Sequence, residues 1–167
     1  MSTRITAISN QKGGVAKTTS TVNLGVGLAR EGKKVLLVDA DPQGSLTVSM
    51  GIQNPDELTE TLSTLMLAEM EDKPIPPDFG SIHHQEGVDL IPGNIELSGV
   101  ELSLVNTMSR ELVLRNVLNR LRHNYDYILI DCMPSLGLMN INALAAADSV
   151  IIPLQPQFLS TKGLNLL

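Results

Sequence analysis

The feature that most constrains the fold is a glycine-rich stretch that lies between an apolar run and a helix-forming run. The stretch reads Ser9-Asn10-Gln11-Lys12-Gly13-Gly14-Val15-Ala16-Lys17-Thr18-Thr19. Residues 5–8 before it are apolar, and residues 20–30 after it have a helical composition. In this context the main-chain N–H groups of the turn and the helix dipole point at one anion. The sequence therefore predicts a phosphate-binding loop, with Lys17 at the β- and γ-phosphates and the Thr18 hydroxyl on Mg²⁺.

Further apolar runs recur along the chain, and segments with helical character separate them. The runs are short, rich in Val, Ile and Leu, and mostly without alternation, at 5–8, 35–38, 88–91, 128–130 and 150–152. Continuous apolar runs of this length are typical of parallel strands that are buried on both faces. The pattern predicts an α/β fold, a three-layer sandwich with a mainly parallel central sheet and helices on both faces. Further helices are expected near 58–70, over 109–124 and from 158 onward.

Two acidic residues directly follow predicted strands. Asp39 comes after the run at 35–38, and Asp131 after the run at 128–130. Because ligands of parallel α/β sheets lie outside the carboxyl ends of the strands, both acids are expected to converge with Lys17 and Thr18. A buried carboxylate without a partner is costly, and a magnesium shell supplies a partner. For either acid alone, capping a helix is an alternative role.

Three motifs together resemble those of the ParA/MinD superfamily of deviant Walker A ATPases. The loop fits K-G-G-x-x-K-[ST] and misses the usual G-x-x-x-x-G-K-[ST] pattern at Gln11 and Ala16. The other two motifs are the strings at 35–44, VLLVDADPQG, and 127–135, YILIDCMPS. The resemblance extends from Arg4 to Gly163. Two features resemble ParA-type plasmid and chromosome partition ATPases in particular. They are the pair Asn10-Gln11 before the loop and the D-x-D-P-Q string at 39–43.

The resemblance implies a P-loop NTPase that binds ATP and Mg²⁺. The residues implied to bind the nucleotide are Lys12, Gly13, Gly14, Val15, Ala16, Lys17, Thr18 and Thr19, and those implied to hold the metal are Thr18, Asp39 and Asp131. The residues implied to be catalytic are Lys12, Asp41 and Lys17. In this family, an acid at the position of Asp41 orients the attacking water, and the lysine matching Lys12 reaches the partner's nucleotide in a sandwich dimer. Opening the turn before Pro42 is the alternative role for Asp41.

The function implied by the resemblance is slow ATP hydrolysis in the service of DNA partition. Such a protein dimerises with ATP–Mg²⁺, binds DNA non-specifically and is stimulated by a ParB-type centromere-binding protein. The expected location is the cytoplasm, in association with the nucleoid. Two alternatives stay open: a MinD-like membrane-associated regulator of cell division, and a nucleotide-dependent binding module without hydrolysis. Residues 1–167 are expected to form a single ATPase domain that lacks its C-terminal part, since family members continue with more sheet and helix.

Composition limits the other classes of function. The chain has 167 residues and a net charge of −6, which argues against a strongly basic nucleic-acid surface on this segment. No apolar run is long enough to span a membrane, so membrane association is not expected. A lone cysteine, Cys132, and an N-terminus that leads directly into the first strand favour a reducing cytoplasm.

Two residues depart from the family pattern. Ala16 places a Cβ where the family has glycine, which is harmless if the φ angle of Ala16 is negative. Met133 replaces a proline after Asp131, in the segment that the family uses as a switch. Both departures leave nucleotide binding as the expectation and the rate of hydrolysis open.

Overall fold

A six-stranded sheet forms the centre of the protein in a computed structural model, which describes residues 3–75 and 81–155. Its strands are β1 (Arg4–Ile8), β2 (Val35–Ala40), β3 (Ile82–His83), β4 (Asp89–Ile91), β5 (Tyr127–Cys132) and β6 (Ser149–Ile151). The spatial order is β3-β4-β2-β5-β1-β6. All neighbours pair in parallel except β3, which runs antiparallel to β4.

Helices cover both faces of this sheet. They are α1 (Lys17–Arg30), α2 (Ser45–Ser49), α3 (Leu62–Met70), α4 (Leu97–Leu104), α5 (Val113–Leu121) and α6 (Leu138–Ala146), with short 3₁₀ helices at Pro55–Glu57 and Arg122–Asn124. The apolar core accordingly falls into two clusters. One joins the sheet to α3, α4, α5 and α6, and the other joins it to α1 and α2. The predicted three-layer sandwich with a mainly parallel sheet is confirmed, and the fold is that of a P-loop NTPase.

Most of the predicted elements are present. The five apolar runs form β1, β2, β4, β5 and β6, and the helices expected near 58–70 and over 109–124 correspond to α3 and α5. On α5 the apolar residues that recur at helical spacing, Leu114, Val117, Leu118 and Leu121, form one stripe and are buried. The sequence analysis missed β3, whose two residues are both exposed, and it placed no helix at α2, α4 or α6. The helix predicted from residue 158 onward lies outside the described residues.

Helix α1 differs from its prediction in how much of it is buried. Apolar or small residues lie on nearly all sides of this helix, a pattern that predicts a buried helix, but Leu24 is 37% exposed and Gly27 is exposed as well. Only one face packs on the sheet, where Gly25 lies against the side chains of Leu37 and Leu129. A Cβ built on Gly25 would lie 2.6 Å from Leu37 Cδ2. Glycine at position 25 therefore allows the helix to approach the sheet closely, and this compensates for its low helix propensity.

We expect alanine at the two helical glycines to have opposite effects on stability. Gly25→Ala should lower the free energy of unfolding by about 1–3 kcal/mol, because the new methyl overpacks the contact with Leu37. Gly27→Ala should raise it by about 0.5–1 kcal/mol, because the site has open space and alanine is the better helix former. Urea unfolding of both variants tests this, and equal effects would show that close packing does not explain Gly25.

Candidate functional site

The strand order brings three chain segments to one edge of the sheet. Strand β5 lies between β1 and β2, and the register places Asp131 beside Ile8 on one side and beside Asp39 on the other. Asp39 and Asp131 alternate with Leu37 and Leu129, so both acids face the layer of α1 and α2. The loop after β1 and the loop after β2 therefore meet at Asp131.

The glycine-rich loop reaches α1 through two residues in the left-handed conformation. Gly14 has a φ of 71°, and Ala16 has a φ of 65° and a ψ of 34°. The condition under which alanine at position 16 is harmless is thus not met, because its backbone is one that L-residues adopt at a cost. No side chain caps the first turn of α1, which begins at Lys17. The N–H groups of that turn are available to an anion at the loop.

Lys17 is a nearly buried cation at the start of α1, with 8% of its surface exposed. Its Nζ atom donates a hydrogen bond to the main-chain carbonyl of Lys12 at 3.2 Å. Burial lowers the pKa of Lys17, and the nearby charges of Asp131 and Asp41 oppose that shift. The loop therefore holds a desolvated ammonium group whose hydrogen-bond acceptor carries no charge.

Asp131 is the acid closest to the loop. Its Oδ2 atom accepts a hydrogen bond from Thr18 Oγ1 at 2.6 Å, and its Oδ1 atom accepts a longer one from Thr21 Oγ1 at 3.4 Å. Burial raises the pKa of Asp131 to about 7, and the charges of Asp39 and Asp41 act in the same direction. The bond from Thr18 brings together two residues that the sequence analysis placed on Mg²⁺.

Asp39 is fully buried near the end of β2, where Thr47 of α2 and the main chain of Asp41 hold it. Thr47 donates to its Oδ2 atom through both the main-chain N–H and the hydroxyl, and the N–H of Asp41 donates to Oδ1. Burial raises the pKa of Asp39 to about 6, although these hydrogen bonds lower it. The metal role predicted for Asp39 stays a prediction.

The remaining predicted residues surround this edge. Gly13, Gly14 and Thr19 are exposed, and Val15 is buried under the loop. Cys132 is 1% exposed, and burial raises the pKa of its thiol to about 12, so it has the environment of a small apolar residue. The structure thus gathers Lys17, Thr18, Asp39, Asp41 and Asp131 at one edge of the sheet.

Several residues of the site were missed by the sequence analysis. Thr21 lies one helical turn beyond Thr18, and this spacing alone could have identified it. Thr47 and Gly93 contact Asp39 from α2 and from the end of β4, and no local pattern predicts these contacts. Asn10 joins the start of the loop to the segment after β6, since its Nδ2 donates to the carbonyl of Pro153 at 2.8 Å.

The donor set fits a nucleotide with Mg²⁺. A loop with free helix N–H groups and a buried lysine suits phosphate, and the hydroxyl and carboxylate oxygens of Thr18 and Asp131 suit a hard cation. Within residues 3–75 and 81–155, no three His, Cys, Asp or Glu side chains are grouped as a metal site. This agrees with the usual mode of Mg²⁺ binding, in which one or two protein groups act together with phosphates and water.

The fold and this edge together define the chain as a P-loop NTPase. An AAA domain family model matches residues 3–167. Among curated proteins, the chain is 48% identical over 162 residues to the sporulation initiation inhibitor protein Soj of Bacillus subtilis (strain 168). It is 45% identical over 164 residues to the chromosome partitioning protein ParA of Caulobacter vibrioides (strain NA1000 / CB15N).

A solved structure is similarly close. It is the cobyrinic acid a,c-diamide synthase of Mycobacterium smegmatis with bound ADP and magnesium, with a TM-score of 0.88 and 41% identity over 98% of this chain. Each curated match covers 97% of this chain, which spans 62% of Soj, 60% of ParA and 64% of the Mycobacterium chain. The chain belongs to the AAA domain family, and its assignment to the ParA/MinD superfamily, closest to ParA-type proteins, is confirmed.

Along the described part of the chain, no helix has the length and apolar character needed to cross a bilayer.

The two buried acids predict how stability depends on pH in the absence of nucleotide. The pKa of Asp39 rises from 3.8 to about 6 and that of Asp131 from 3.8 to about 7, so the folded protein retains these protons to higher pH than the unfolded chain. The stability should therefore fall as pH rises through this window, by on the order of 4 kcal/mol between about pH 5 and about pH 8. Urea unfolding at the two pH values measures this difference.

Asp131→Asn should reduce that pH dependence, because the variant lacks one of the two titrating groups and keeps an acceptor for Thr18. Glu31→Gln, a change at an exposed acid after α1, is the control and should leave the dependence as it is. Stability that increases over the same pH range would contradict the expectation.

The left-handed loop residues predict a second pair of opposite effects. Ala16→Gly should stabilise the protein by about 0.5–1 kcal/mol, because glycine adopts a positive φ without steric cost. Gly14→Ala should destabilise it by about 1 kcal/mol for the same reason, although a Cβ at Gly14 would have no neighbour within 4 Å. Thermal unfolding of both variants checks the pair, and a destabilised Ala16→Gly variant would contradict a strained alanine.

Proposed function

We propose that the chain binds ATP with Mg²⁺ and hydrolyses the nucleotide slowly, as part of a ParA-type partition ATPase. The observation that carries this proposal is the hydrogen bond from Thr18 to Asp131 beside the buried Lys17. These are the groups that a P-loop NTPase uses for metal and phosphate. The Mycobacterium structure with ADP and magnesium, which is 41% identical to this chain over the region in which the two match, supports the same ligands here.

The roles of the residues follow from their positions. Lys17 and the loop N–H groups bind the phosphates, and Thr18 and Asp131 hold the metal, with Asp39 in its outer shell. When bound there, Mg²⁺ would offset phosphate charge as a Lewis acid. Asp41 lies at the same edge, with its Oδ1 atom accepting the N–H of Gln43 at 2.9 Å, and it orients the attacking water.

The proposal for the whole protein includes association. Lys12 supplies a cation to the nucleotide of a second copy, so that hydrolysis depends on dimerisation in the way that an arginine finger works in trans. The dimer binds DNA non-specifically and is stimulated by a ParB-type centromere-binding protein, in the cytoplasm at the nucleoid. The names of the partition relatives support this role. Residues 1–167 supply the ATPase domain.

We expect four variants to separate binding from hydrolysis. Asp41→Ala and Lys12→Ala should each reduce kcat by about a hundredfold and leave the Kd for ATP–Mg²⁺ within about threefold, since both residues act after binding. Lys17→Ala should abolish ATP binding. Lys33→Ala replaces an exposed lysine at the opposite edge of the sheet, between α1 and β2, and should behave as wild type. Phosphate release and calorimetric titration with ATP–Mg²⁺ provide the two readouts.

The same measurements decide between the proposal and its alternatives. Tight ATP binding without turnover in the wild type would favour a nucleotide-dependent binding module. ATP-dependent sedimentation with anionic vesicles would favour a MinD-like regulator, whereas ATP-dependent retention of DNA that weakens with salt supports partition. Unchanged hydrolysis in Asp41→Ala would contradict the role of that acid.

A further inference from the structure

The carboxylate of Asp39 connects helix α2 to the Asp41 turn. Its Oδ2 atom accepts two hydrogen bonds from Thr47, one from the main-chain N–H at 2.8 Å and one from Oγ1 at 2.7 Å. Its Oδ1 atom accepts the N–H of Asp41 at 3.2 Å. Both Asp39 and Thr47 have no exposed surface. The orientation of Asp39, and with it one contact of the Asp41 main chain, is set by Thr47.

Two further hydrogen bonds hold the Asp41 turn. The carbonyl of Asp41 accepts the N–H of Gly44 at 2.9 Å, and its Oδ1 atom accepts the N–H of Gln43 at 2.9 Å. The main-chain N–H, the main-chain carbonyl and the side chain of Asp41 are therefore all engaged. A carboxylate held in this way is preorganised to orient a water molecule.

The hydroxyl of Thr47 is itself fixed by its neighbours. It donates to Asp39 and accepts the N–H of Gly93 at 3.0 Å. The packing around it is tight, because a Cβ on Gly93 would lie 2.5 Å from the Asp39 carbonyl oxygen and one on Gly44 would lie 3.1 Å from the Gly93 carbonyl oxygen. Removal of the hydroxyl would leave one buried donor and one buried acceptor without this partner.

We infer that Thr47 is a positioning residue for ATP hydrolysis, which acts through Asp39 to hold Asp41 in place. The inference rests on the proposed function, and it adds a residue that touches neither phosphate nor metal in that scheme. It also gives Asp39 a structural task, the transmission of the α2 position to the Asp41 turn. The competing explanation is that Thr47 affects hydrolysis only through the position of Asp39 in the outer shell of the metal, and the experiment that follows separates the two.

The test compares the removal of the Thr47 hydroxyl with its retention. Thr47→Val should reduce kcat by about tenfold or more and leave the Kd for ATP–Mg²⁺ and the half-saturating Mg²⁺ concentration within about threefold. In the ligand-free protein, the amides of Asp41, Gln43 and Gly44 should exchange with solvent about tenfold faster. Thr47→Ser keeps the hydroxyl and should restore both properties. Ser49→Ala removes an exposed hydroxyl of the same helix and is the matched control.

Each outcome has a defined meaning. Loss of activity together with faster exchange, both restored by serine, supports the positioning role. Unchanged exchange in Thr47→Val, or an equal loss of kcat in Thr47→Ser, overturns it. A loss of kcat that excess Mg²⁺ restores also overturns it, and then attributes the effect of Thr47 to metal binding through Asp39. Thr47→Ala carries the comparison if the valine variant fails to fold.

Amide exchange in the ligand-free protein keeps this inference distinct from the proposed function. If the wild type neither binds nor hydrolyses ATP, the proposed function fails, and faster exchange in the hydroxyl-free variants alone still supports the link from Thr47 through Asp39 to the Asp41 turn. If the wild type is active and exchange at these amides does not change, the proposed function stands and the positioning role is overturned.

Discussion

The parallel pairing of β5 between β1 and β2 is the constraint on which the candidate site depends. Since the carboxyl ends of parallel strands share one edge, this order places the glycine-rich loop, the Asp41 turn and Asp131 next to each other. The hydrogen bond from Thr18 to Asp131 then joins the start of α1 to the middle of the sheet. With β5 elsewhere in the sheet, the loop would lack its acid.

The same edge concentrates electrostatic cost in the ligand-free protein. Two buried acids on neighbouring strands have raised pKa values, and burial of a lysine beside them lowers its pKa. The left-handed backbone of Ala16 adds steric cost in the loop. Perturbed charges and backbone strain that meet at one place are typical of functional sites. A cation and a phosphate group bound together at this edge would compensate both signs of charge, which is why the arrangement favours a magnesium nucleotide.

The fold was predictable where the local pattern and the final environment agree. Five strands are continuous apolar runs, and the sheet buries them as such a pattern requires. Strand β3 was not predicted, because it is only two residues long and both are exposed, so it has no continuous apolar run in the sequence. It pairs antiparallel with β4 at the edge of the sheet. The burial predicted for α1 holds for one face only, because small residues permit close packing on any side, but only the side of Gly25 meets the sheet. The positive φ of Ala16 could likewise not be predicted from the sequence, since the loop and the start of α1 together impose it.

The sequence by itself determined which chemistry the edge can have. The sequence shows a lysine and a threonine after a glycine-rich turn, and acids after apolar strands. These arrangements are local and are the same in the folded protein, because each depends only on its own strand and loop. Only the tertiary structure decided which of these groups touch. Thr18 and Asp131 are 113 residues apart in the chain, and Thr47 meets Gly93 across 46. Such contacts depend on strand order and on the close approach of glycine backbones, and these are properties of the assembled sheet that no local pattern encodes.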